Sequence, residues 1–210
     1  MLSWILSHRK RQDPYLLQPI LPLTTSKRTC PFASHRIMIT VLIKDCNDFS
    51  QDFYDSVVKN IQLHMVECPC GKSGCLILYG HYSRKVKFMS ELVTLLIQRV
   101  FCKECLHTHA LLLSGMVPYS QVPLEDQQEI IDCCEDQRSV EHVLQRNYLI
   151  DESNVKHIIR QYRRHWKQRL ASIGATIKDA LPVPCLSAYL RQFMQIHSTR
   201  NILFSPTNTA

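Results

Sequence analysis

The spacing of hydrophobic and polar positions divides the chain into strand-like and helix-like stretches. Residues 37–43, Ile-Met-Ile-Thr-Val-Leu-Ile, have the length and β-branched density of a strand. Phe49, Phe53, Val57 and Ile61 then recur every four residues, the stripe of an amphipathic helix ending near Leu63. From Cys68 onward the texture is β-like, with runs over 76–86, 92–101 and 108–113. Pro118 and Pro123 mark a linker, and after Pro123 the period is helical. Leu124 and Ile131 begin a first helix with proline at its first turn.

Ser139 is placed to cap a short second helix carrying Val140, Val143 and Leu144 on one face. Residues 147–151 form a turn, and a longer helix follows over 154–170, its start supplied by Asp151 or Ser153. Gly174 marks its end. Pro182 and Pro184 separate it from a last helix striped by Leu186, Tyr189, Leu190, Phe193 and Ile196. Residues 1–37 carry Pro14, Pro19, Pro22 and Pro31 without a clear period, and read as a poorly ordered extension or a mis-assigned start, with Met38 the alternative. The fold class is therefore α+β: a small β unit over 38–118, a helical domain over 119–175, and a C-terminal helix and tail over 176–210.

Composition removes several function classes. Hydrophobic residues make up 45% and charged residues 20% of the 210, as in a folded globular chain. Only five glycines occur and none falls in a phosphate-loop pattern, which argues against nucleotide binding of that kind. No apolar run reaches about 18 residues, so no membrane-spanning helix is expected. The net charge of +7 is unevenly spread: residues 153–210 hold nine basic and one acidic side chain, whereas 37–152 hold ten and sixteen. A polyanion contact is expected after residue 152.

Ten cysteines and no secretory leader pattern point to a reducing, cytoplasmic compartment, where clustered cysteines more often bind metal than form disulfides. Cys68-Pro69-Cys70-Gly71-Lys72-Ser73-Gly74-Cys75 is followed by Cys102-Lys103-Glu104-Cys105, with strand-forming sequence between. Two cysteine loops joined by a hairpin are what a zinc ribbon needs to surround one tetrahedral ion. The ligand set chosen is Cys70, Cys75, Cys102 and Cys105, with Cys68 the alternative in the first loop and His107 and His109 in reserve. Four thiolates leave no open position for water, so the zinc is structural. Cys30, Cys46, Cys133, Cys134 and Cys185 lack partner spacing and are assigned to packing or to no role.

These motifs carry a resemblance. Cys70-Gly71-Lys72-Ser73-Gly74-Cys75, Tyr79-Gly80-His81-Tyr82-Ser83-Arg84, Arg99-Val100-Phe101-Cys102-Lys103-Glu104-Cys105, Thr108-His109-Ala110-Leu111 and Pro118-Tyr119-Ser120 look like an uncharacterised bacterial family, a domain of unknown function. Its members resemble the amino-terminal, zinc-ribbon-bearing part of insertion-sequence transposases. The match covers roughly residues 38–170. What the resemblance implies is a transposase-like, DNA-binding role.

The helix over 154–170 supports a nucleic-acid partner on its own. Val155, Ile158, Ile159, Tyr162, Trp166 and Leu170 fall at steps of three and four. Lys156, Arg160, Arg163, Arg164 and Lys167 occupy the remaining face, and no acidic side chain lies between Ser153 and Leu170. Short helix, turn and basic helix is the order of a helix-turn-helix, whose second helix reaches phosphates and base edges of double-stranded DNA. The competing reading is a merely solvated basic face. A ribonuclease-H-like catalytic domain does not fit in the forty residues after Leu170, whose sole carboxylate side chain is Asp179. The acids Glu125, Asp126, Glu129, Asp132, Glu135 and Asp136 read as the solvent face of one helix. The expectation is a non-catalytic zinc- and DNA-binding protein. A protein-interaction module, or a transposase subunit completed by a separate catalytic chain, is the alternative, and a homodimer is a further option.

Overall fold

The computed structural model describes residues 38–43, 46, 48–189 and 193. The chain forms two compact units. One comprises the described residues up to Arg84 together with Thr94–Ser114; the other comprises Lys85–Val93 and the described residues from Gly115. Strands and helices are both present, so the mixed α+β class is observed.

The first unit is built on a four-stranded sheet in the order β1-β4-β3-β2. Strand β1 (Ile39–Val41) runs parallel to β4 (Thr108–Leu113), pairing Ile39 with Leu111 and Val41 with Leu113. Strand β4 is antiparallel to β3 (Glu91–Cys102) through Arg99–Ala110, Val100–His109 and Phe101–Thr108. Strand β2 (Leu76–Phe88) is the edge. It returns into β3 through Met89 and Ser90, both at positive φ (45° and 65°), the paired left-handed conformation that suits a tight hairpin to the twist of its strands.

Helix α1 (Gln51–Lys59) starts where Ser50 accepts the Phe53 N–H. It ends at Asn60, short of the expected Leu63, because residues 61–66 fold back in turns (Met65 N–H to Gln62 C=O, 2.8 Å). Beyond the β3–β4 ladder, α1 side chains take over the backbone of β3. The Gln51 amide accepts the Leu96 N–H at 2.8 Å and donates to the Leu96 C=O at 3.3 Å. The Tyr54 hydroxyl accepts the Gln98 N–H at 2.8 Å and donates to the Leu111 C=O at 2.9 Å. Under this layer lies a core of Ile39, Val66, Leu76, Val100 and Leu111, together with the buried thiols of Cys68, Cys75 and Cys102.

The second unit is helical. Helix α2 (Leu124–Glu135) begins directly after Pro123, α3 (Glu141–Arg146) follows, and α4 (Glu152–Gln161) continues through a π-helical turn, Tyr162–Trp166, into α5 (Lys167–Ser172). Ser139 acts one residue earlier than a helix cap: its hydroxyl accepts the Glu141 N–H while Val140 occupies the cap position. Asp151 caps α4 in a reciprocal box with Asn154. Helix α5 stops as Gly174 turns to φ 66° and the Ala175 N–H reaches back to the Leu170 C=O, a Schellman closure.

The buried stripe explains the π turn. Ile158, Tyr162, Trp166 and Leu170 are all buried and follow one another at steps of four. In an α-helix each such step drifts by about 40° around the axis, so three in a row would carry Leu170 off the core side. One wider turn absorbs the drift. Trp166 is fully buried with its ring 5.4 Å from that of Phe193. Helix α6 (Pro182–Tyr189) contains the two prolines expected to precede it. Both fit in its first turn, where backbone N–H groups have no helical acceptor to lose. Of the expected last stripe, Leu190 and Ile196 lie outside the described residues, as does the expected extension over 1–37.

The acids of α2 are not a plain solvent face. Asp126 is buried and meets Arg146 at 2.6 Å, and Glu129 takes both Arg146 (2.5 Å) and His142 (2.6 Å). They pin α3 against α2 because the bases of α3 lie opposite them. Lys87, from the hairpin end, donates to the Leu149 C=O (2.8 Å) and to Asn154 Oδ1 (2.7 Å), while Asn147 donates to the Lys87 C=O (3.0 Å). The turn before α4 is thus held at both of its ends. No helix among the described residues is long and apolar enough to cross a membrane.

Candidate functional site

Two local devices converge on a sulfur cluster in the first unit. In the first loop the Cys68 N–H donates to the Lys72 C=O (2.8 Å) and the Gly71 N–H to the Cys68 C=O (2.7 Å). Gly71 and Gly74 take φ of 85° and 71°, which side-chain-bearing residues adopt only with strain. In the second, the turn between β3 and β4, the Cys105 N–H points at Cys102 Sγ (3.4 Å) and the Leu106 N–H at the Cys102 C=O (3.0 Å). A bond from the Lys103 N–H to the Cys75 C=O (2.9 Å) joins the two. Lys72 and Glu104 pair across the outside.

The Sγ atoms of Cys68, Cys70, Cys75 and Cys102 lie within 4.8 Å of one another, close enough to bind a metal ion. Cys70 and Cys102 are 3.9 Å apart. Cys105, expected as the fourth thiolate, stands in a second group with Cys68 (3.8 Å) and His109, whose Nε2 is 3.5 Å from Cys68 Sγ. His107 turns its Nδ1 to the Cys105 C=O at 2.6 Å and belongs to neither group. The place left open between Cys68 and Cys70 is thus filled by both.

The electrostatics are those of a site waiting for positive charge. Burial raises the Cys68 thiol far above its ordinary value, and the thiols of Cys70 and Cys102 add to the rise. Burial likewise lifts Cys75 to about 12 and Cys105 to about 11. Burial also pushes Cys102 upward, but the Cys105 amide, the Cys75 thiol and the Glu104 amide outweigh it and bring Cys102 down to about 6. Burial thus disfavours the ionised form of most of these thiols, and a bound cation would favour it.

The second candidate lies wholly in the helical unit. Lys156, Ile159, Arg160, Arg163 and Arg164 line an open groove of about 650 Å³ together with Cys134 of α2. All four cations are exposed. Arg163 donates to Cys134 Sγ at 3.2 Å, and Lys156 pairs with Glu152 one turn away at 2.7 Å, both side chains well solvated. Among the described residues neither Arg160 nor Arg164 has an ion-pair partner. Lys167, the fifth expected cation, faces α2 and meets Glu135 at 2.6 Å. Burial, helped by Arg164 and Arg169, lowers His165, so it adds no charge at neutral pH.

No protein-family model, curated protein or solved structure matches this chain.

Three participants were not legible beforehand. Cys134 was assigned to packing, and only the approach of α2 to α4 shows it at the groove. Lys87 had no motif around it. Glu135 is one of six acids on α2, and its pairing with Lys167 spans 32 residues. Of the remaining cysteines, Cys133 and Cys185 are fully buried, and burial raises both thiols, Cys185 to about 12.

Proposed function

We propose that this chain is a non-catalytic, double-stranded-DNA-binding protein stabilised by a structural zinc ion, acting in the manner of the DNA-recognition part of an insertion-sequence transposase. The observation that carries the reading is the cationic groove: Lys156, Arg160, Arg163 and Arg164 stand exposed on the helix that follows a short helix and a turn. The order α3, turn, α4 is that of a helix-turn-helix, and α4 with the π-helical turn after it carries the cations of the groove. Guanidinium groups without a carboxylate partner are the ones able to release counterions from phosphate.

Four thiolates in a tetrahedral arrangement suit zinc, and the Cys70–Cys102 separation of 3.9 Å fits the edge of a tetrahedron with zinc–sulfur bonds of about 2.3 Å. The ion would hold the two cysteine loops together and take no part in chemistry. The deciding experiment is titration of the full chain against random-sequence duplex DNA at two salt concentrations. Retardation that weakens steeply with salt is expected. Absent or salt-insensitive binding would overturn the reading and favour a protein partner.

A further inference from the structure

The cysteine cluster has more ligands than one ion can use. A tetrahedral ion takes four, yet five thiols and one imidazole converge here. Cys68 is common to both groups: with Cys70, Cys75 and Cys102 it completes a four-sulfur set, and with Cys105 and His109 it forms a second, three-ligand set.

The distances in the second set are those of a coordination sphere. Two sulfurs bound to one zinc at about 2.3 Å with tetrahedral angles lie about 3.8 Å apart, and a sulfur and an imidazole nitrogen lie about 3.6 Å apart. Cys68 Sγ is 3.8 Å from Cys105 Sγ and 3.5 Å from His109 Nε2. Both edges match. His109, on β4 and 2% exposed, turns its Nε2 toward the buried Cys68 thiol, which places a neutral nitrogen donor beside the two sulfurs. The charge of two such ions would also be shared among up to five sulfur ligands.

The geometry points to a two-metal cluster in which the Cys68 thiolate bridges a four-sulfur zinc site and a second zinc held by Cys105 and His109. This rests on the proposal that the four-sulfur site binds zinc. The second ion would have three protein ligands, Cys68, Cys105 and His109. Both ions are structural in effect: the second clamps β4, through His109, to the first cysteine loop.

The test is metal content and spectroscopy of the full chain. After purification with excess zinc and removal of loosely held ions, two zinc equivalents per chain are expected. Replacement by cobalt(II) should give a pair whose magnetic signal is diminished by coupling through the shared sulfur. His109→Ala and Cys105→Ser should each retain one equivalent and show the uncoupled spectrum of a four-sulfur cobalt site. One equivalent in the wild-type chain, or two without coupling, would overturn the bridged pair. The single-ion outcome leaves the structural zinc of the proposed function standing, and only a metal-free folded chain removes both. Should either variant fail to fold, the wild-type stoichiometry and coupling still decide.

Discussion

Lys167 Nζ lies 2.6 Å from Glu135 Oε2, tying the start of α5 to the last residue of α2. A cation that the helical period placed on the binding face is thereby turned toward the neighbouring helix. The five cations should therefore behave unequally. Arg160→Ala and Arg164→Ala should each reduce the salt slope of DNA binding by about one unit and leave the melting temperature unchanged. Lys167→Ala should leave the slope alone and change the melting temperature only slightly, because the pair is largely solvated. Titrations of the three variants at two salt concentrations, with thermal melts, check this. Equal slopes for all three would contradict it.

Removing the metal should unfold one unit selectively. Chelation, or Cys102→Ser, takes away the charge that lets several buried sulfurs ionise together, so the loops around Cys68–Cys75 and Cys102–His109 lose their common anchor. Amide exchange across 66–113 should accelerate while amides of α2 and α4 stay protected. Uniform protection after complete metal loss would argue that apolar packing alone holds the first unit.

Acid should loosen the joint between α2 and α3. Burial pushes Glu129 upward, but hydrogen bonds from Arg146 and His142 outweigh it and hold the carboxyl below its ordinary value. Its stabilising effect is therefore complete above the ordinary glutamate range and fades as pH falls through the lowered value. Glu129→Gln should cost on the order of 1 kcal/mol near neutrality, given partial exposure, and the difference from wild type should shrink as pH falls below the ordinary glutamate range. Melting curves of both proteins from pH 7 to pH 3 measure it. A constant gap across that range would show that the charge is not what matters.

Tyr54→Phe should be costly for one missing oxygen. The hydroxyl serves the Gln98 N–H and the Leu111 C=O at once, both in buried surroundings. Leaving them unpaired should lower stability by about 2 kcal/mol and expose the Gln98 amide to exchange. An unperturbed Gln98 amide would mean that another acceptor replaces the phenol.

What was legible in the sequence was what local spacing encodes. The strand over 108–113, the helix onset at Leu124, the Asp151 cap and the Gly174 stop depend on residues within a turn or two of each other. The π turn was not anticipated, because the apolar steps of three and four over 154–170 read as one continuous helix. The Met89–Ser90 turn lacks the usual glycine or asparagine, so nothing local announced it. The cluster was legible in composition only. That Cys68 stands between two sets, and that His109 but not His107 faces the sulfurs, depends on the β3–β4 register and on folding of the first loop. The pairings Lys167–Glu135 and Arg146–Asp126 join helices, and residue order alone does not fix which base meets which acid.

The far end of the β2–β3 hairpin, Lys85–Val93, is counted with the helices although its strands begin and end in the sheet unit. Neither unit is therefore a continuous stretch of chain. During synthesis the sheet can be completed once Ser114 has emerged, but Lys87 must wait until Leu149 and Asn154 are made before its side chain finds its acceptors. The hairpin tip is thus exposed for the time needed to make some sixty further residues, seconds at ordinary elongation rates. A ribosome stalled between these points would hold a finished sheet whose tip lysine is still bound to water, and a helical unit made without the hairpin would lack the side chain that holds its turn.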